Sequence, residues 1–314
     1  MVNKNSRIFI AGHKGLIGSA IYQALLNNGY NNILIACRSE LELKNNDEVE
    51  LYFKFNRPDI VILCAARAGG ILDSIKHPVE FIYDNVLIQN NIISSCAKFK
   101  IKKFIFFSSS CIYPKNCPQP IKEDYVLSSQ LDDAYKGYAL AKLCGMELCN
   151  AYKREYGLDS IIFVPCNVYG FNDRYDEESG RSIGALIKKI VLAKFNHSKE
   201  VTVWGSGLAT REYINSFDVA EACLYFLEKN ILPNSFINLG TGIGTTIAEL
   251  VSIISEICGY NGKIIFDHSK PEGVPKKVLD ISKILSYKWK PKISLQEGLK
   301  LVISDFISNI KDYS

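Results

Sequence analysis

No run of about 18 apolar residues occurs anywhere in the 314-residue chain, so the sequence offers no membrane-spanning helix. Charge of one sign is missing too. The 37 Lys and Arg against 33 Asp and Glu leave a net charge of +4. The lysines are scattered except for pairs such as Lys188-Lys189 and Lys276-Lys277. This argues against a nucleic-acid partner while allowing a local anionic ligand. Internal repeats and low-complexity stretches are lacking, which excludes a repeat array and a disordered chain. Cysteines number ten, but clusters of them are absent. Cys37, Cys64, Cys96, Cys144, Cys149, Cys166, Cys223 and Cys258 stand singly in apolar surroundings. They read as small core residues of a reducing compartment, and no metal is expected. Residues 1–7 lead into a strand without an apolar signal region, so the cytoplasm is the expected location and no membrane partner is foreseen.

With 47% hydrophobic and 22% charged residues, the chain can fill one large core or two modest ones, at ~100–200 residues per domain. The short strand Arg7-Ile8-Phe9-Ile10-Ala11 runs into Gly12-His13-Lys14-Gly15-Leu16-Ile17-Gly18 and a helical pattern through Leu26. Such glycines let the backbone turn tightly and approach a pyrophosphate, whose charge meets the amides and dipole of the helix start. The next strand, Ile33-Leu34-Ile35-Ala36-Cys37, ends in Arg38 where an Asp or Glu would hold a ribose 2′-hydroxyl. A cation there, with Lys14, suits the 2′-phosphate of NADP better than NAD. The alternative is a solvated Arg38 with Glu40 on the ribose. A third buried strand, residues 59–66, precedes Arg67-Ala68-Gly69-Gly70-Ile71. Small Ala65 and Ala66 would let the cofactor's middle pass close over the sheet, with the Gly69-Gly70 loop bordering the sugar. Strands alternate with helices, as at residues 85–99, which predicts an α/β fold: a Rossmann-type doubly wound parallel sheet with right-handed crossovers.

The chemistry is expected where the apolar run Ile105-Phe106-Phe107 ends in Ser108-Ser109-Ser110-Cys111-Ile112-Tyr113-Pro114, at the carboxyl end of a buried strand. Residues 138–156 read as a helix on which Tyr138 and Lys142, four apart, share a face. A phenol titrates near ~10, and an adjacent ammonium brings it closer to neutral working range. A serine hydroxyl from the strand end can hold a substrate oxygen against that phenol, giving a proton-donating site for carbonyl reduction beside a hydride donor. Tyr-x-x-x-Lys also arises by chance in helices. The serine-rich strand end and the glycine loop single this one out. Cys111 lies at the same place, whereas Cys117, in a Pro-flanked loop, has no assigned role.

Further on, the strand Ser160-Ile161-Ile162-Phe163-Val164 ends in Pro165-Cys166-Asn167-Val168-Tyr169-Gly170. The alternation then lapses into a polar loop at 171–181 and a basic helix at 182–194. The domains are expected to interleave, with residues 1–170 plus 215–239 binding NADP and 171–214 plus 240–314 forming a smaller α/β substrate-binding domain. Val203-Trp204-Gly205-Ser206-Gly207 and Arg211-Glu212-Tyr213 offer a flat ring for a base and a guanidinium for a diphosphate. Ser269-Lys270-Pro271-Glu272-Gly273-Val274-Pro275-Lys276-Lys277 adds a Pro/Gly loop with cations.

Together these residues resemble the extended short-chain dehydrogenases acting on nucleotide sugars, and most closely the GDP-L-fucose synthase family. The likeness runs almost end to end, through Gly12-His13-Lys14-Gly15, Ala65-Ala66-Arg67-Ala68-Gly69-Gly70, Ser109-Ser110-Cys111-Ile112-Tyr113-Pro114, Tyr138-Ala139-Leu140-Ala141-Lys142, Asn167-Val168-Tyr169-Gly170, Val203-Trp204-Gly205-Ser206-Gly207 and Lys270-Pro271-Glu272-Gly273. The Ser-Ser-Cys-Ile-Tyr-Pro run and the Lys-Pro-Glu-Gly loop are the specific signals, separating this group from its dehydratase and 4-epimerase relatives. The resemblance implies an enzyme that epimerises GDP-4-keto-6-deoxymannose at C3 and C5 and then reduces the C4 ketone with NADPH. It puts Ser109, Tyr138 and Lys142 at the reductase positions and Cys111 at that of an epimerase base. Pro165, Asn167 and Val168 join the expected cofactor contacts. Gly70, Asn167, Arg181, Lys188, Trp204, Arg211, Lys270 and Lys277 become the expected GDP-sugar contacts. A homodimer through the helices after Asn85 and Tyr138 is implied.

One departure matters. The family's epimerase histidine, in a Ser-His-x-Ile-Pro-Ala-Leu setting, falls on Arg181 in Gly180-Arg181-Ser182-Ile183-Gly184-Ala185-Leu186, while His13, His77, His197 and His268 all lie elsewhere. A guanidinium keeps its proton to a pKa above ~12 and is a poor donor to an enolate carbon. The expectation is therefore NADPH-dependent C4 reduction of a GDP-4-keto sugar, of 6-deoxymannose or heptose type, with double epimerisation impaired or absent. The alternatives are the full bifunctional enzyme and a non-catalytic NADP-binding sensor, which would have no use for a proton relay.

Overall fold

The computed structural model describes residues 3–176, 182–270 and 273–310. The first part of the chain alternates strand and helix: β1 (Ile8–Ala11), α1 (Leu16–Asn27), β2 (Ile33–Leu34), α2 (Asn46–Asn56), β3 (Ile60–Leu63), α3 (Ile71–Lys76), α4 (Pro78–Lys98), β4 (Lys103–Phe107), α5 (Lys136–Tyr156) and β5 (Ser160–Pro165). The remainder comprises β6 (Asn167–Tyr169), α6 (Ser182–Phe195), β7 (Glu200–Trp204), β8 (Thr210–Asn215), α7 (Ser216–Glu228), β9 (Ile237–Leu239), β10 (Gly244–Thr246), α8 (Ile247–Cys258), β11 (Lys263–Asp267), β12 (Lys276–Lys277), α9 (Ser282–Ser286) and α10 (Leu295–Ser308).

Strands β1, β3, β4 and β5 are buried at every position, as apolar strands of a sheet covered on both faces must be. They form a six-stranded parallel sheet in the order β2-β1-β3-β4-β5-β9. From β1 the chain steps outward to β2 and then returns to the other side as β3. The order therefore reverses between β1 and β3, where sheets of this kind open a crevice at their carboxyl ends. Phe104, Phe106 and Phe163 are fully buried in this core, each contributing roughly 1.5–3 kcal/mol of burial.

The smaller core gathers the apolar faces of α6, α8 and α10, with Ile187, Ile190, Leu250, Ile254, Val302 and Phe306 at its centre. β7 pairs with β11. β8 carries three partners, pairing with β6 and β12 in parallel and with β10 in antiparallel fashion. The carboxy-terminal part does not stay in this core: Leu279, Ile284 and Trp289 pack into the larger one.

Two elements differ from the sequence expectation. The β1–β2 ladder stops at Leu34. Ile35 is exposed, and the Cys37 N–H goes to the Glu40 carboxylate at 2.7 Å instead of to a neighbouring strand. α4 begins at Pro78, seven residues before the helix read from the sequence. A proline reads as a break, yet at the first helical position its missing N–H has no partner to lose.

Candidate active site

The carboxyl ends of β1, β3, β4 and β5 open into one cavity of about 500 Å³ that continues to β7, β8 and β12. After β4, Ser109 takes an extended conformation and its Oγ accepts the Cys111 N–H at 3.3 Å, which starts a single 3-10 turn over Ser110–Ile112. The hydroxyl proton of Ser109 therefore remains available to donate. The turn is pinned from behind by the buried Tyr113, whose hydroxyl donates to Asn238 Oδ1 at 2.5 Å on β9. Ser109, Cys111, Tyr138 and Lys142 all line the cavity.

Helix α5 presents Tyr138 in its first turn and Lys142 one turn later. The edge of the Phe81 ring, from α4, packs against Tyr138 with centroids 6.1 Å apart. Lys142 is 4% exposed. Its ammonium donates to the Phe107 carbonyl at 2.9 Å and stands 4.9 Å from the Phe106 ring centroid and 5.8 Å from that of Tyr138. Burial pulls its pKa down to about 8, so it is still largely protonated at neutral pH while fixed close to the phenol. Depth is set by Gly145: a Cβ there would stand 2.6 Å from Gln89 Oε1 and 2.6 Å from the Phe106 ring. Gln89, from α4, also donates to the Ala141 carbonyl at 2.5 Å, so α4, α5 and the sheet are locked together around the lysine.

The glycine loop has the geometry of a cradle. Gly12 has φ +92°, and a Cβ on it would lie 2.6 Å from the Ala65 nitrogen; one on Gly18 would lie 2.1 Å from the Gly12 carbonyl oxygen. Gly15 caps α1 without a side chain, and no acidic residue lies in the first helical turn, leaving the amides and the positive end of the dipole free of a competing carboxylate. Gly15, Leu16 and Ile17 line the cavity; Gly12, His13 and Gly18 lie outside the lining, as does the exposed Lys14. His13 keeps a buried Nδ1 with no hydrogen-bond partner among the described residues. Its pKa is lowered, first by burial and then by the Lys14 charge. This donor set and cradle fit the pyrophosphate of a dinucleotide.

Of the other expected cofactor positions, Ala66, Pro165, Asn167 and Val168 line the cavity, and Ala65 lies behind it with its N–H on the Ala11 carbonyl at 2.8 Å. Arg38 lies outside the lining, exposed and paired with Glu42 at 2.8 Å. Gly70 lines the cavity as the cap of α3. The Ala66–Gly70 loop is held in place by Asn85, whose side chain takes the Arg67 N–H at 3.0 Å and donates to the Arg67 carbonyl at 2.9 Å. The Arg67 guanidinium forms a bidentate pair with buried Asp73 at 2.8 and 2.7 Å.

At the far end, Trp204, Arg211 and Lys277 line the cavity, and Lys270 reaches over the Trp204 ring, 5.8 Å from its centroid, without lining it. Lys277 Nζ lies 3.9 Å from Cys111 Sγ, bringing the two halves of the site together. The expected contact Lys188 lies one residue away from the cavity lining. Lys189 lines the cavity and Lys188 does not, because one residue along a helix turns the side chain by about 100°. Lys189 also donates to the Thr202 carbonyl at 3.1 Å. Arg181 lies outside the described residues, as do Pro271 and Glu272. Arg174, which donates to the Ala68 carbonyl at 3.1 Å, lines the cavity and was not singled out from the sequence. Nor was Glu212, whose buried carboxyl is pushed up in pKa by desolvation against the pull of three backbone N–H groups. A polar loop and an alternating strand gave no signal for either.

The sequence of residues 8–240 matches the NAD dependent epimerase/dehydratase family. The chain belongs to that family. Relatives within it are similar over nearly their whole length. GDP-L-fucose synthase 1 of Arabidopsis thaliana is 39% identical over 310 residues, covering 99% of this chain and 96% of the relative. Among solved structures, a GDP-6-OMe-4-keto-L-xylo-heptose reductase from C. jejuni superposes with a TM-score of 0.93 at 32% identity, covering 98% of this chain and 99% of that one. A GDP-mannoheptose C4 reductase from Campylobacter jejuni, solved with NADP bound, gives a TM-score of 0.88 at 32% identity, over 98% of this chain and 100% of that one. With full-length relatives that are GDP-L-fucose synthases and solved neighbours that are GDP-heptose reductases, the chain is an oxidoreductase, and no helix among its described residues is long and apolar enough to cross a membrane.

Proposed function

We propose that this oxidoreductase reduces the C4 ketone of a GDP-4-keto sugar of 6-deoxymannose or heptose type with NADPH. The observation that carries the reading is the buried Lys142, fixed by the Phe107 carbonyl beside the Tyr138 ring in a cavity that continues to Trp204, Arg211 and Lys277. NADPH, when bound, supplies the hydride. Tyr138 gives its phenolic proton to the C4 oxygen, Lys142 holds the phenolate that remains, and Ser109 donates a hydrogen bond to the same oxygen. The larger core carries the cofactor, with the glycine loop under the pyrophosphate and Lys14 and Arg38 toward the 2′-phosphate. The smaller core carries the sugar nucleotide, with Trp204 against the base and Arg211, Lys277 and Lys189 toward the diphosphate. The protein works in the cytoplasm as a homodimer, through the outward faces of α4 and α5, where Val79, Tyr83 and Leu140 are exposed.

Epimerisation at C3 and C5 is impaired or absent in this reading, since Arg181 stands where the family resemblance puts a histidine. NADPH oxidation with a panel of GDP-4-keto sugars, followed by NMR of the products, tests the reductase. Deuterium uptake from heavy water tests the rest: rapid labelling at C3 and C5 would sink the claim of lost epimerisation while leaving the reductase standing. A bifunctional 3,5-epimerase and 4-reductase is the second reading, favoured by Cys111 lying in the cavity 3.9 Å from the Lys277 ammonium.

A further inference from the structure

Residues 170–174, which follow β6, run across the crevice between β1 and β3. Gly170 lies against the first turn of α1, where a Cβ on it would stand 3.2 Å from Leu16 Cδ1. Asn172 Nδ2 then donates to Ser19 Oγ of α1 at 3.1 Å. At the opposite wall Arg174 Nη1 donates to the Ala68 carbonyl at 3.1 Å, in the loop that follows β3. The segment is therefore tied to both sides of the place where the strand order reverses, which is where sheets of this kind hold a dinucleotide.

Both the tie and the segment are backed. Asn85 and the Arg67–Asp73 pair fix the loop that carries Ala68. A Cβ at Gly184 would stand 2.4 Å from the Arg174 carbonyl oxygen, so the start of α6 closes directly on the segment.

The charge carried over the crevice is left for a ligand. Arg174 is exposed, lines the cavity and pairs with no carboxylate among the described residues. Its fork keeps further N–H donors after one has gone to a carbonyl. In the same cavity Gly15, Leu16 and Ile17 offer amides and a helix start, which meet a pyrophosphate with partial charge only. The other cations of the lining belong to the reacting end, as Lys142 does, or to α6, β8 and β12.

We propose that Arg174 is a cofactor-binding residue that lies over the pyrophosphate of the dinucleotide, so that the phosphates are held between the amides of the glycine loop and a guanidinium. The inference rests on the functional reading above, in which NADPH fills this crevice. The bond to Ala68 holds the guanidinium in place before the ligand arrives, which spares part of the cost of ordering a long side chain.

The test measures NADPH by fluorescence titration and GDP by calorimetry in the wild type, Arg174→Gln and Arg174→Lys. Glutamine keeps an N–H donor for the Ala68 carbonyl and loses the charge; lysine keeps the charge. Arg174→Gln is expected to weaken NADPH about tenfold and to flatten the fall of its affinity with salt. Arg174→Lys should stay within about threefold of wild type. Adenosine 2′-monophosphate, which lacks the pyrophosphate and is read by displacement of NADPH, should bind both variants within about twofold of wild type, and so should GDP. Wild-type NADPH affinity in Arg174→Gln overturns the inference, and so does an unchanged salt dependence, an Arg174→Lys as weak as Arg174→Gln, an equal loss of adenosine 2′-monophosphate, or a loss of GDP in place of NADPH. Failure of the wild type to bind NADPH would instead remove the functional reading, and this inference with it, before any variant is compared.

Discussion

The two ends of the cavity are built by opposite means. At the reacting end, Ser109 follows a five-residue strand of the parallel sheet and Lys142 stands on a 21-residue helix, with the buried Lys142 ammonium held by the Phe107 carbonyl. At the other end, Lys277 and Arg211 stand on paired strands of two and six residues. A proton donor needs one fixed distance, so Tyr138 stands half-buried on α5 beside the buried Lys142, which a sheet carbonyl holds in place. A diphosphate carries its own charge to the site and needs donors that are spaced correctly and wet, so short strands suffice.

Substitutions at the two ends should therefore separate turnover from binding. The largest effect is expected for Tyr138→Phe, which should lower kcat by about 10³-fold and leave NADPH affinity intact in a fluorescence titration; turnover near wild type would remove Tyr138 from the proton transfer. Arg211→Ala should act the other way, raising KM for the sugar nucleotide roughly 10–100-fold with little change in kcat. A fall in kcat of the same size would erase the division between the two ends.

A smaller effect comes from pH. The Lys142 ammonium loses its proton near about 8, so kcat/KM should fall on an alkaline limb centred there, by about tenfold at one unit above. Stability should move in the opposite sense. The folded pKa is below the ordinary lysine value of 10.5, so between the two values the unfolded chain holds the extra proton and this group's contribution to folding improves as pH rises. A Lys142→Met variant should lose both the limb and the stability slope in parallel titrations. The smallest effect is expected for Arg38→Ala, exposed and already engaged with Glu42: a weakening of NADPH by about three- to fivefold, with NADH unaffected.

The reacting end was more legible in the sequence than the anchoring end, for physical reasons. Gly12, Gly15 and Gly18 are spaced for one tight turn, and Tyr138 and Lys142 for one helical face. Local spacing fixes both. Buried strands such as β3 and β4 announce themselves by continuous apolar runs. The anchoring end depends on which residues of distant strands meet. Nothing in the sequence says that Lys277 pairs with Arg211 or that Glu212 reaches Leu279, 67 residues away. A basic pair on a helix, such as Lys188-Lys189, gives no phase by itself, so the sequence does not say which of the two lines the cavity. β2 is shorter than its apolar run suggests because Cys37 spends its N–H on a side chain, and α4 starts earlier than its apolar pattern does because Pro78 opens the helix. Arg174 and the Arg67–Asp73 pair lie in loops, where no periodicity exists to betray them.

The missing methyl at Gly145 has a practical consequence for anyone who sets out to engineer this protein. A glycine in the middle of a long helix is an obvious candidate for thermostabilisation, since alanine is better there by about 1 kcal/mol in an open helix. Here an added carbon would wedge α5 away from Gln89 and Phe106, admit water to the lysine one turn earlier, and let its basicity drift back toward that of a surface residue. A variant selected for heat resistance at this position would shift the pH optimum of the catalyst, although it alters no atom that contacts a reactant.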